Sequence, residues 1–110
     1  MFFGTVSDVP GPPKTLSVTS VSEKNVGLKW DEPESDGGCD ITGYIIEMRE
    51  SSRRTWQKAG SLEADKKREY LVSPLIDGQQ YIFRVAAENE VGVGEWTELT
   101  QSVTAKTTHG

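Results

Sequence analysis

The 110-residue chain has one cysteine, Cys39, so it cannot form a disulfide bond within itself. It also lacks the Asn-x-Ser/Thr pattern of N-glycosylation, because Asn25 and Asn89 are followed by other residues. Both absences favour a protein of a reducing compartment, although they do not require one. No apolar run approaches the length of a membrane span. Met1–Gly4 has neither the charged start nor the long apolar core of a secretory signal, so we do not interpret it as one.

An excess of positive charge is also missing, because the formal net charge is −5. Domains that bind nucleic acid are normally basic, with Lys and Arg gathered on one face. The only basic runs are Arg53-Arg54 and Lys66–Arg68, and we interpret both as solvated loop charges. The sequence therefore predicts no nucleic-acid partner and no membrane partner.

Side chains for catalysis or metal binding are scarce as well. His109 is the only histidine and lies near the C-terminal end, and Cys39 has no basic neighbour that would activate its thiol. The segment Asp31–Asp36 gathers carboxylates but lacks the regular spacing of a calcium-binding loop. We therefore expect no enzyme activity, no metal site and no cofactor for this domain.

What the chain does contain is apolar alternation at every second residue, which is typical of half-buried strands. Segments 31–40 and 60–67 read as loops, and no stretch has a helical period sustained over three turns. The strands are expected around Leu16–Val18, Val26–Trp30, Ile41–Glu50, Trp56, Tyr70–Val72, Tyr81–Glu88 and Leu99–Thr107. This spacing predicts a single all-β domain in the form of an antiparallel sandwich.

The most informative segment is Leu75–Tyr81, in which the Gly78 turn leads into an apolar strand. A tyrosine at this place is what a tyrosine corner needs, since its ring packs on the core while its hydroxyl reaches the preceding connection. We predict that Tyr81 donates this hydrogen bond to the backbone. The corner is typical of sandwiches made of two sheets.

These features together resemble a fibronectin type III domain, and the match covers about residues 10–107. The residues that carry it are Pro10–Pro13, Trp30, Tyr44, Leu75-x-x-Gly78-x-x-Tyr81 and Asn89-x-x-Gly92-x-Gly94. Three further segments resemble the type III domains of titin, twitchin and related giant muscle proteins: Asp36–Glu47, Arg53–Trp56 and Val103–Lys106. One departure is Trp96, because that subgroup often has proline there.

The resemblance implies a seven-stranded, immunoglobulin-like sandwich, with a sheet of the first, second and fifth strands packed on a four-stranded sheet. It also implies a non-catalytic module in a tandem array of a cytoplasmic, sarcomeric protein of the thick filament (A-band). Such a module adds length, resists load and offers a binding surface. The implied partners are neighbouring domains of the same chain and thick-filament proteins such as myosin. The resemblance also leaves room for a kinase domain elsewhere in the parent chain. The isolated domain is expected to be monomeric.

Two groups of residues are singled out by this interpretation. The structural core is expected to contain Trp30, Tyr44, Leu75, Tyr81, Phe83 and Val85. Trp56 and Trp96 are candidate partner contacts, because exposed aromatic side chains often anchor interfaces. The alternative for Trp56 is an aromatic ring that covers the rim of the sheet beside the aliphatic stem of Arg54 or Lys58.

A second function remains open at this point, namely an extracellular adhesion or receptor module, since the same fold is abundant there. The missing Arg-Gly-Asp and Trp-Ser-x-Trp-Ser signatures disfavour it.

In domain terms we expect a flexible leader over residues 1–9, the domain over 10–107 and a tail over 108–110. The prolines of residues 10–13 should make the entry to the domain stiff.

Overall fold

The computed structural model describes residues 7–107, so most of the predicted leader and the predicted tail with His109 lie outside the described residues. Eight strands form two antiparallel sheets. The strands are β1 (Lys14–Val21), β2 (Val26–Asp31), β3 (Gly43–Glu50), β4 (Gln57–Glu63), β5 (Glu69–Val72), β6 (Gln80–Glu88), β7 (Val93–Glu98) and β8 (Val103–Thr104). The smaller sheet has the order β1-β2-β5, and the larger has the order β4-β3-β6-β7 with β8 also paired to β6. The predicted all-β sandwich and the membership of its three-stranded sheet are confirmed.

The larger sheet has five strands because the C-terminal part of the chain forms two strands on β6 instead of the single one expected. β7 pairs with the second half of β6, from Arg84 to Glu88, and β8 pairs with its start at Gln80 and Tyr81. Alternation could not reveal β7, since Thr97, opposite the inward Val85, is polar. The expected strand over Leu99–Thr107 is therefore wrong in its bounds.

The fourth strand also differs from the prediction. Trp56 lies just before β4, and β4 continues to Glu63, into a segment that was expected to be a loop. β4 is an edge strand, so most of its side chains are exposed and its sequence is polar. Ala59 and Leu62 are its residues that pack against the core.

The space between the sheets is filled by aromatic and branched side chains, which is how a sandwich buries its apolar faces. Trp30 of β2 is 1% exposed and meets Tyr44 of β3 edge to face, with ring centroids 5.5 Å apart. From β6, Tyr81, Phe83 and Val85 enter the same cluster. Loop residue Leu75 is buried there too, so the structure places all six expected core residues between the sheets.

A tyrosine corner closes the connection between β5 and β6. The backbone N–H of Ile76 donates to the Tyr81 hydroxyl oxygen at 2.9 Å. This direction is opposite to the one predicted from the sequence, because the hydroxyl accepts the bond that it was expected to donate. Gly78, with a φ of 85°, makes the turn that brings the two groups together.

The chain enters and leaves the sandwich at opposite ends of β6, which spans about 27 Å. At the Glu88 end, the Asp8 N–H donates to the Gly37 carbonyl at 2.7 Å, and we call this end the N-terminal pole. At the Gln80 end, the Ala105 N–H donates to the Gln79 carbonyl at 3.0 Å, and we call this end the C-terminal pole. Within residues 7–107 there is no helix long and apolar enough to cross a membrane.

The corner hydrogen bond yields a prediction for Tyr81→Phe. The variant keeps the ring but leaves the Ile76 N–H without its partner, so the free energy of unfolding should fall by about 1 kcal/mol. Urea denaturation followed by fluorescence measures this change. Since the slope of the transition should stay the same, the difference should appear as a lower midpoint. A midpoint equal to that of the unmodified chain would contradict the stabilising role of the corner.

Candidate functional site

The two tryptophans singled out by sequence lie on the outer face of the larger sheet, on either side of Arg84. Trp56 precedes β4, Arg84 is in the middle of β6, and Trp96 is on β7. The central carbon of the Arg84 guanidinium is 4.2 Å from the centroid of each indole ring. The three side chains therefore form a stack in which a cation lies between two aromatic faces.

Strand geometry explains why Arg84 reaches this position. Phe83 and Val85 point into the core, so Arg84 between them must point outward. On β3 the residue directly opposite is Glu47, whose Oε1 accepts from Arg84 Nε at 2.9 Å and from Nη2 at 2.6 Å. A cross-strand ion pair thus fixes the guanidinium plane between the tryptophans.

Both tryptophans are half-buried, and each keeps part of its ring in solvent. Over the Trp56 ring lies a second guanidinium, that of Arg49, at 5.2 Å. The sequence singled out neither Arg49 nor Arg84, although the outward positions of their strands were a usable signal. An aromatic ring held on a rigid sheet loses little conformational freedom on binding, which suits it to anchor a partner.

A turn rich in arginine lies beside this stack, at the C-terminal pole. Arg53 forms an ion pair with Glu50 at 2.6 Å, and Arg49 Nη1 donates to the Arg53 carbonyl at 2.7 Å. The turn borders an open depression of about 430 Å³. Its lining residues are Arg49, Ser51, Ser52, Arg53, Arg54, Trp56 and Glu98. This is a solvent-open surface with positive charge and one aromatic face.

The acidic loop that the sequence showed before β3 lies at the opposite, N-terminal pole. It borders an open depression of about 740 Å³ lined by Glu32, Pro33, Glu34, Ser35, Asp36, Asp40, Ile41, Tyr44, Ala64 and Asp65. Among residues 7–107, no group of three or more His, Cys, Asp or Glu side chains is arranged to hold a metal ion. Burial raises the pKa of the Tyr44 phenol, which therefore stays protonated at neutral pH.

Asn89, at the end of β6, joins three segments of the N-terminal pole, and the sequence did not single it out as a site residue. The side chain is 3% exposed, and its Nδ2 donates to the carbonyls of Asp8 at 2.7 Å and Asp36 at 2.8 Å. Its Oδ1 accepts from the N–H groups of Val91 and Gly92. With all four hydrogen bonds made, this buried amide fastens the entering chain to both loops.

Comparison with known proteins agrees with this architecture. The sequence profile of the fibronectin type III domain matches residues 11–103. The chain is 40% identical over 98 residues to titin of Drosophila melanogaster, an alignment covering 89% of this chain and 0% of titin. It is 38% identical over 96 residues to the fast-type myosin-binding protein C of Gallus gallus, covering 87% of this chain and 8% of that protein.

Solved structures of titin and of twitchin also superpose on this chain. A crystal structure of titin domains superposes with a TM-score of 0.83 at 37% identity, covering 91% of this chain and 33% of that one. The twitchin kinase region of Caenorhabditis elegans superposes with a TM-score of 0.84 at 30% identity, covering 92% and 17%. The chain thus spans only a small part of the curated relatives that it matches.

The contacts of Asn89 yield a prediction for Asn89→Ala. This variant leaves the carbonyls of Asp8 and Asp36 and the Val91 N–H without their side-chain partner, while the Gly92 N–H keeps only its bond to the Asn89 backbone carbonyl. The free energy of unfolding should therefore fall by about 2 kcal/mol. Denaturation measures the loss, and hydrogen exchange should show faster exchange at the Asp8 and Gly11 amides. Glu90→Ala, at the exposed next position, is the matched control and should leave both quantities unchanged. Unaltered exchange at Asp8 in Asn89→Ala would rule out this role.

Proposed function

The chain belongs to the fibronectin type III family, and we propose that it serves as a non-catalytic spacer and binding module in the tandem array of a giant sarcomeric protein. Its homology to domains of titin, twitchin and myosin-binding protein C supports this assignment. The observation that carries the mechanical part of the proposal is the path of the chain, which enters at one pole and leaves at the other. A tandem chain can pass through such a module without doubling back.

The entering segment is fastened sideways along its length. The Gly11 N–H donates to the Ser35 carbonyl at 2.9 Å, and the Glu95 N–H on β7 donates to the Pro10 carbonyl at 3.2 Å. The Thr97 hydroxyl donates to the Pro13 carbonyl further along the same strand. Gly94 makes this approach possible, since a Cβ atom there would collide with the carbonyl of Pro10.

The leaving segment is fastened in a similar way. β8 pairs with the start of β6, and the Gly78 N–H donates to the Ala105 carbonyl at 2.7 Å. The Thr107 hydroxyl donates to the Glu23 carboxylate at 2.7 Å, and this bond holds the pKa of Glu23 below its ordinary value. A force along the pole-to-pole axis would load these bonds in shear, so that several must break together. This arrangement favours resistance to stretching.

The finer part of the proposal concerns the partner and the place. One relative is named for binding myosin, and we therefore take myosin as the candidate partner. A domain that binds myosin would lie in the cytoplasm, at the thick filament in the A-band. The stack of Trp56, Arg84 and Trp96 is the candidate contact, because it presents two half-exposed aromatic rings on a rigid sheet. Neighbouring domains of the same chain are the other proposed partners.

The mechanical role predicts the outcome of a pulling experiment on a multimer of this chain. Stretching from the ends should give repeated force peaks, each followed by a length gain of roughly 30 nm, the extended length of about 100 residues less that of the folded domain. Thr97→Val, which removes the bond to Pro13, should lower the mean peak force. Thr100→Val, at an exposed bend, should leave it unchanged. Smooth extension without peaks would contradict the mechanical role.

The partner proposal is tested by co-sedimentation with myosin filaments. The double variant Trp56→Ala/Trp96→Ala should lower the bound fraction by tenfold or more, since truncating an aromatic anchor costs about 2 kcal/mol or more. Ile76→Ala removes an exposed apolar side chain at the C-terminal pole, outside the stack, and serves as the control. Equal binding by the unmodified chain and the double variant would show that another face binds, and no binding by any variant would refute the myosin assignment.

A further inference from the structure

The two poles of the domain carry charges of opposite sign on their exposed loops. We call residues 49–54 with Trp56 the basic turn; it lies at the C-terminal pole, where the Ser51 N–H donates to the Gln80 carbonyl at 3.0 Å. We call residues 32–40 the acidic loop; it lies at the N-terminal pole, where its Gly37 carbonyl accepts from Asp8. The length of β6 separates the two surfaces.

The positive charge of the basic turn is only partly compensated. Glu50 pairs with Arg53, whose side chain is still 73% exposed. Arg49 donates to the backbone carbonyls of Ser51 and Arg53, so those contacts leave its charge in place. Within residues 7–107, Arg54 makes no ion pair and no side-chain hydrogen bond, and it is exposed. Each guanidinium borders the depression beside Trp56.

The acidic loop is complementary in sign and is also incompletely paired. Glu32 pairs with Arg68 at 3.2 Å, and Asp36 accepts a bond from the Gly38 N–H within the loop itself. Glu34 and Asp40 form no ion pair with any residue between 7 and 107, and both are exposed at the depression of about 740 Å³. Lys66 and Lys67 lie at the same pole, on the turn between β4 and β5, and reduce its net negative charge without pairing with these carboxylates.

We propose that the poles are complementary docking surfaces, through which the basic turn of one module receives the acidic loop of the next module in the array. The inference rests on the proposed function, because the partner that binds the basic turn is the next fibronectin type III domain of the tandem array. The path of the described chain supports it, because Ala105 and the basic turn both lie at the Gln80 end of β6. A following module therefore lies next to that turn and faces it with its own N-terminal pole. The charge of this chain's own acidic loop provides the complementary surface.

Such a contact sets the orientation of neighbours more than their affinity. Exposed charge pairs contribute little individually, but opposite potentials favour one relative orientation and disfavour the others. Tethering raises the effective concentration of the second surface to the millimolar range, so a contact too weak to dimerise separate chains can still align linked ones. The contact is heterologous, which gives an open, extended array and no closed dimer.

The test uses Cys39, which is the only cysteine and lies in the acidic loop. One chain carries a nitroxide label on Cys39, and it is mixed with an isotope-labelled chain that has Cys39→Ser. Paramagnetic broadening detects contacts that are populated only transiently. At about 20 mM NaCl, we expect loss of amide intensity at residues 49–56 of the isotope-labelled chain. At about 300 mM NaCl, where the screening length falls to roughly 6 Å, the loss should disappear.

Matched charge reversals decide whether the basic turn is responsible. Arg53→Glu/Arg54→Glu in the isotope-labelled chain should abolish the broadening, and Glu34→Arg/Asp40→Arg in the nitroxide chain should restore it. The control, Lys66→Glu/Lys67→Glu in the isotope-labelled chain, changes the net charge by the same amount but at the N-terminal pole. It should leave the broadening at residues 49–56 in place. Broadening that is absent, that falls elsewhere, or that survives the arginine reversals would overturn the proposal. The pulling experiment is independent of this result, since a module can resist force without attracting its neighbours.

Discussion

Strand β6 is the element on which both the core and the surface contacts depend, because its side chains point alternately to the two faces of the larger sheet. Its inward residues, Phe83 and Val85, are fully buried and pack in one cluster with Trp30. Its outward residue Arg84 holds Trp56 and Trp96 in place. β6 also pairs with three other strands, so a shift of its register by one residue would exchange core and surface together.

The two ends of β6 are fixed by polar side chains whose role differs from that of the core. Tyr81 accepts the Ile76 N–H near the C-terminal pole, and Asn89 joins the entering chain to two loops at the N-terminal pole. Apolar burial holds the sheets together but has no direction, whereas hydrogen bonds of buried groups fix particular segments. The path of the chain into and out of the sandwich therefore depends on these two residues.

This division of roles connects the fold with the proposed function. A module in an array needs a filled interior, firm attachment at both ends and a surface that meets other proteins. The interior is supplied by the aromatic cluster, the attachment by the lateral bonds of residues 8–13 and of β8, and the surface by the tryptophan and arginine stack. Opposite charges at the poles add a way to orient successive modules.

The sequence by itself determined the all-β class, the place of most strands, the six core residues as candidates and the position of the tyrosine corner, because these follow from local alternation and turn residues. It did not reveal β7 or the full β4, since edge strands lack an apolar inner row. Only the tertiary structure decided that Trp56 and Trp96 share Arg84, that Asn89 binds Asp8, and that acidic and basic loops lie at opposite poles. The physical reason is that these contacts join residues far apart in the chain, and strand pairing, which no local pattern encodes, brings them together.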